Sequence, residues 1–161
     1  MNAAALAKLR SLLGDARICM LTTEDGQGDL RSRPMALQQA DFDGDLWFFA
    51  GRHSELGSEI ARNERVNIAL ARTDHHVYVS ISGRAQFVDD PAKAKRLWSV
   101  YYKAWFPKGL DDPDLQLMKV AVDKAEYWDS PNSAVIIVYA AVKATLTGEQ
   151  QPTGEHGKFA V

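Results

Sequence analysis

Leu30-Arg-Ser-Arg-Pro-Met-Ala-Leu-Gln38, then Asp41-Phe-Asp-Gly44, then Leu46-Trp-Phe-Phe-Ala50, is the stretch from which the fold is read. Both flanks have strand character, and the Asp43-Gly44 pair between them is a strong hairpin signal. Working outward, the same pattern recurs. Arg17-Ile-Cys-Met-Leu-Thr-Thr23 is a β-rich run closed by Asp25-Gly26 and Gly28. Residues 66–71 and 77–88 read as two further strands around Thr73-Asp-His-His76, and Gly83 marks a bulge or a close backbone approach. A sixth strand is expected at about 117–122, leading into Ala125-Glu-Tyr-Trp-Asp129.

Helices punctuate these strands. Leu6, Leu9, Leu12 and Leu13 lie at helical spacing before Gly14. Ser54 is placed to cap a short helix over 54–63. The strongest helical signal starts at Asp90-Pro91 and carries Ala94, Leu97, Trp98, Tyr101, Tyr102 and Trp105 on one stripe until Pro107. Residues 134–139 read two ways: their β-branched run favours a strand, whereas spacing through Val138, Ala141, Val142 and Thr145 allows a helix. Six antiparallel strands with flanking helices, and no regular βαβ alternation, make a mainly β, α+β or barrel domain.

The 161 residues suit a single domain over 1–161, with a C-terminal tail from about 149. Apolar residues at 46% and charged residues at 25% exclude a disordered chain, a collagen-like one and a disulfide scaffold. A net charge of −2 argues against nucleic acid as a partner, because nucleic-acid binders normally carry a basic excess. The lone Cys19, between Ile18, Met20 and Leu21, reads as a buried thiol in a reducing compartment. The N-terminal segment reads as an amphipathic helix and not a signal peptide. The longest apolar stretch, from Ala134 to Val142, falls far short of the ~20 residues of a membrane span. A soluble, cytoplasmic protein without a membrane partner is expected.

Familiar catalytic signatures are missing: no G-x-G-x-x-G, no phosphate-cradling G-x-x-x-x-G-K-[ST], no H-E-x-x-H and no G-x-S-x-G. The four histidines lack ligand-like spacing, so no metal site is expected. Chemistry here would fall to a bound cofactor. Two segments could hold one. Arg31-Ser-Arg-Pro-Met35, Trp47-Phe-Phe49 and Arg52-His-Ser54 would bring arginines, a hydroxyl and helix N–H groups together, as a phosphate requires. The plainer alternative makes Trp47 and Phe49 core and the arginines a solvated face. The other segment, from Trp105 to Asp114, is a constrained loop, or simply a helix stop and surface turn.

Arg31-Ser-Arg-Pro-Met35, Leu46-Trp-Phe-Phe49, Val66-Asn-Ile-Ala-Leu70, Ser80-Ile-Ser-Gly-Arg-Ala85, Trp105-Phe-Pro-Lys-Gly109 and Ala125-Glu-Tyr-Trp-Asp129 occur in one order. Together with Thr147-Gly148 and Gly154-Glu-His-Gly-Lys158, that order resembles the general stress protein subfamily of the pyridoxamine 5′-phosphate oxidase-like flavoproteins. The resemblance runs from about Leu6 to the C-terminus. It implies an FMN-binding six-stranded split β-barrel, with FAD the alternative flavin, working as a homodimer with flavin at the subunit interface. It also implies a helix after Pro131. By the same resemblance Arg33, Pro34, Met35, Trp47, Phe48, Phe49 and Ala50 line the flavin. His53 and Ser54 meet its phosphate, and the partner's Trp105 closes over the ring.

Two positions depart from the family pattern. Ala50 stands where Thr is common, and Leu56 where Lys is common. Losing one charged hydrogen bond costs about 1.5–3 kcal/mol, roughly tenfold to a hundredfold in affinity. The resemblance leaves two functions in view: an FMN-dependent oxidoreductase taking hydride from a reduced nicotinamide, or a flavin-binding carrier or stress sensor without turnover. A true pyridoxamine 5′-phosphate oxidase is disfavoured, since the chain ends Gly154-Glu-His-Gly-Lys-Phe-Ala-Val161 without that enzyme's arginine- and histidine-bearing segment. A barrel that has lost flavin and serves as an interaction module is the remaining option.

Overall fold

The computed structural model describes residues 3–38, 42–130 and 154–160. The ambiguous stretch at 134–139 and the helix implied after Pro131 lie outside these residues, as does Thr147-Gly148. The chain runs α1 (Ala3–Leu13), β1 (Ile18–Glu24), β2 (Leu30–Ala36), β3 (Asp45–Gly51), α2 (Glu55–Arg62), β4 (Arg65–Arg72), β5 (Val77–Val88), α3 (Pro91–Leu97), β6 (Leu115–Asp129) and β7 (Glu155–Ala160). Short 3-10 turns at Val100–Ala104 and Gly109–Asp111 link α3 to β6. No helix of the described residues is long and apolar enough to cross a membrane.

The strands form one antiparallel sheet in the order β2-β1-β4-β5-β6-β3, with β7 also on β6. β6 is long enough to pair β5 along one edge, leaving its other edge to β3 over the first half and β7 over the second. The seventh strand corrects the expected count of six: what read as a tail pairs Glu155 with Asp129 through to Ala160 with Lys124. Its signal was too short and too polar to stand out, because an edge strand needs only one buried neighbour.

The expected hairpin between β2 and β3 does not form. A turn does occur at Asp43-Gly44, with Gly44 at φ 113°. It opens onto a different pairing, however: β2 takes β1 and β3 takes β6, each over seven residue pairs, so the two strands end at opposite margins of the sheet. The connection between them is longer than the two to five residues of a hairpin loop. Among the described residues, Gln38, just past β2, bridges to β3 at Trp47. Gln38 fixes that point twice, through its N–H on the Trp47 carbonyl and its side-chain amide on the Tyr102 hydroxyl. Among the described residues the barrel is therefore split, its margins bridged where Gln38 meets Trp47.

Alternation sorts the side chains. Leu46, Phe48 and Ala50 face an inner core with Leu21, Ile68, Ile81, Met118 and Val120, closed by Leu9 and Leu13 of α1 and Leu56 and Ile60 of α2. Trp47 and Phe49 face outward, under Leu97, Trp98, Tyr102 and Phe106. β3 is thus buried on both faces. The same packing breaks the long helix expected from Asp90. The chain leaves helical geometry at Trp98 (ψ 135°), so that Trp98 and Tyr102 both reach Phe49, at ring centroid distances of 5.6 and 5.1 Å. Ser99-Val100-Tyr101-Tyr102 are middling helix formers and resist this little. Tyr101 and Trp105, expected on the buried stripe, are exposed.

Gly83 is the bulge the sequence suggests. The β5–β6 register shifts between Ser82 and Gly83, and a Cβ there would lie 2.4 Å from the Ala121 carbonyl oxygen. Backbone of a central strand cannot retreat far. Gly83→Ala is expected to cost about 2 kcal/mol of stability, read by urea unfolding; an unchanged midpoint would mean that β6 yields at this point. Cys19 is buried as expected, and burial pushes its thiol up to about 12.

Candidate functional site

The margins of the split, and α2 between them, define the site. α2 starts where β3 leaves the sheet. Ser54 caps it, accepting the Gly57 N–H at 3.2 Å and donating to the Gly51 carbonyl at 2.7 Å. Gly57 is required by closeness: a Cβ would sit 2.7 Å from the Arg52 carbonyl oxygen. The loop before β6 holds the same corner from outside. Asp114 accepts the His53 backbone N–H at 2.9 Å and lies 3.0 Å from the imidazole Nδ1. Those bonds hold the Asp114 carboxyl below its usual range.

Across the split, Arg31, Arg33 and Met35 of β2 oppose the inward residues Thr23, Leu21 and Cys19 of β1. Two arginines on an inward face need a counter-charge, and α2 provides it. Glu59, 2% exposed, receives Arg33 Nη2 at 2.7 Å and the Thr23 hydroxyl at 2.6 Å, with Arg31 Nη1 at 3.7 Å. Burial pushes this carboxyl up, but the bonds from Thr23 and Arg33 and the two guanidinium charges outweigh it and hold it below the usual range. Arg31 also meets Glu55 at 3.0 Å. Among the described residues, Arg33 Nη1 remains buried without a hydrogen-bond partner, and so does Trp47 Nε1.

The residues singled out from sequence divide accordingly. Arg33, Ser54 and Leu56 gather at α2, but Arg33 is committed to Glu59, and Leu56 is a core side chain only 6% exposed. Met35 is partly buried against the inner core, and Pro34 is exposed beside Met20 on the outer face. Phe48 and Ala50 are inner core. The Trp47 and Phe49 rings are covered by the chain's own α3 region, with Lys93 Nζ 4.4 Å from the Trp47 ring centroid. These four side chains present no open surface to a ligand. What β3 does offer is main chain. The Trp47 carbonyl, taken by the Gln38 N–H, points to the margin away from β6, and strand alternation turns the backbone groups of Phe49 the same way. His53 is exposed, and Trp105 is 71% exposed at the end of the 3-10 turn.

Sequence reasoning missed Glu59, Thr23 and Asp114. Glu59 could have been found: with Leu56 and Ile60 it lies on the apolar face of α2, where a carboxylate demands a cation.

A family model, pyridoxamine 5′-phosphate oxidase like, matches residues 4–152. The chain belongs to this pyridoxamine 5′-phosphate oxidase-like family. Solved structures agree. A protein assigned as general stress protein 26 from Jannaschia sp. CCS1 superposes with a TM-score of 0.78 at 25% identity, covering 99% of this chain and 100% of that one. The general stress FMN/FAD binding protein of Xanthomonas citri gives 0.70 at 32% identity, with coverages of 82% and 93%. A general stress family protein of Xanthomonas campestris pv. campestris gives 0.68 at 34% identity, with coverages of 81% and 90%. Among curated proteins none matches. The split-barrel expectation from the resemblance therefore stands, with the strand count and the β2–β3 pairing corrected. In this chain the split is bordered by β2, β3 and α2.

Proposed function

We propose that this chain is a flavin-binding protein that works as a homodimer, with FMN its flavin and FAD the alternative, and that it catalyses oxidoreduction with a reduced nicotinamide as donor. The observation that carries the reading is the split itself. The main-chain edge of β3 at Phe49, which no described strand pairs, suits the hydrogen-bonding edge of a planar ring, and Arg33 Nη1 is a buried donor lacking an acceptor among the described residues. On these features the residues fit a flavin. Pro34 and Met35 would border the ring, the Phe49 backbone would hydrogen-bond it, and Ser54 and Arg33 would take its tail. The relative named an FMN/FAD binding protein supports the same ligand class.

The outer face of the sheet supports the dimer. Ile18 and Met20 of β1, Ala69 and Ala71 of β4, Tyr78 of β5 and Trp128 of β6 are exposed along it. Antiparallel sheets facing water carry mostly polar residues on that side, so this run of apolar side chains, interleaved with Thr22, Asn67, Ser80 and Glu126, is suited to a second copy. Trp105 would reach the partner's split from its exposed turn.

A bound flavin supplies hydride chemistry at its ring, leaving the chain to orient it, hydrogen-bond it and exclude water. A second reading, flavin binding without turnover, is favoured by the pairing of the ionisable groups near the split: Arg33 with Glu59, and His53 with Asp114. Anaerobic titration of the flavin-loaded protein with NADH and NADPH separates the two. Bleaching of the visible flavin band is expected; an unchanged band with both donors would leave the carrier reading.

A further inference from the structure

Three of the cations around the start of α2 are already matched. Arg31 lies on Glu55 at 3.0 Å, Arg33 on Glu59 at 2.7 Å, and His53 beside Asp114 at 3.0 Å. Leu56, where the family pattern has a cation, is packed in the core. The capping hydroxyl of Ser54 occupies the Gly57 N–H. The cleft of about 440 Å³ beside α2 sets three carboxylates, Asp25, Glu55 and Glu59, against the guanidiniums of Arg31 and Arg62. Arg52 lines a separate cleft with Asp89, Asp90 and Asp111. A dianionic phosphate entering this corner must compete with these carboxylates for Arg31, for Arg33 Nη2 and for His53. Glu59 is buried, so evicting it strands a charge. The unpartnered Arg33 Nη1 is a single buried donor, from which a neutral hydroxyl can accept without displacing Glu59.

We infer that this site recognises its flavin by the ring and the uncharged sugar-alcohol chain and gains little from the 5′-phosphate, so that riboflavin binds about as tightly as FMN. The inference rests on the flavin reading above and narrows its ligand. Glu55 is the displaceable partner: its side chain is 75% exposed, and removing its charge releases Arg31 without disturbing the core.

The test is calorimetric titration of the purified protein with riboflavin and with FMN, for the natural chain and for Glu55→Gln. The two flavins are expected to bind the natural chain within about tenfold of each other, one charge-assisted bond's worth. Glu55→Gln is expected to tighten FMN roughly tenfold and leave riboflavin unchanged. Leu56→Lys, if it folds, should do the same. FMN binding the natural chain more than about tenfold tighter than riboflavin, or a Glu55→Gln variant without FMN-selective gain, would overturn the inference while flavin binding stood. Binding of neither flavin would overturn the flavin reading and the inference with it.

Discussion

Arg33→Ala is expected to lose about 3 kcal/mol of stability at neutral pH, far more than Arg31→Ala, and to lose almost nothing in strong acid. The cause is Glu59, which the substitution leaves buried with only the Thr23 hydroxyl and the more distant Arg31. The pH dependence follows from the sign of the shift. Folding holds the Glu59 carboxyl below its ordinary value, so the pairing stabilises the protein above about pH 4.3 and is lost as pH falls through the depressed value. In the variant, burial acts without the guanidinium and raises the carboxyl, so protonation relieves it and the gap to the natural protein closes. Arg31 is about half exposed, and its loss should cost under about 1 kcal/mol. Urea unfolding at pH 7 and in acid measures both. Equal stability of Arg33→Ala and the natural chain at pH 7 would show that the guanidinium does not neutralise Glu59. Flavin affinity in this variant is interpretable only beside its stability, because one side chain serves both the fold and the site.

Ala69→Arg is expected to convert a dimer to a monomer and to weaken flavin binding more than a hundredfold. Ala69 is exposed in β4, between Met20 of β1 and Ser80 of β5, near the middle of the apolar outer face. A twofold interface places the same patch on both sides, so one substitution enters twice and buries unpaired charge each time. Thermal stability of the separated chain should change little, since the side chain points away from the core. Size-exclusion chromatography and flavin titration report the two effects. A variant that stays dimeric with full flavin affinity would place the interface elsewhere.

The readable parts of the fold were those written in one strand or one turn. Ser54 announces its helix because a hydroxyl cap is a local device, and Gly83 announces its bulge because only hydrogen clears the Ala121 carbonyl. Partners across the sheet are different. Residues 30–36 and 45–51 each read as strands, but alternation reports a face and not a neighbour, so their placement at opposite margins was hidden. The helix from Asp90 was over-read for a related reason: the aromatic stripe is real, yet Phe49 draws Trp98 and Tyr102 across itself and unwinds the chain between them. At the site, the pairing of Arg33 with Glu59 was hidden because the counter-charge is 26 positions away in sequence, on a helix whose other charges are solvated.

Sedimentation of the protein with added flavin, recorded at the visible flavin band, tests most directly whether this barrel is a flavin site built from two chains. The flavin is expected to travel with a species of twice the chain mass, one flavin to each chain. Flavin left behind as the free molecule, or carried by a single chain, would contradict it.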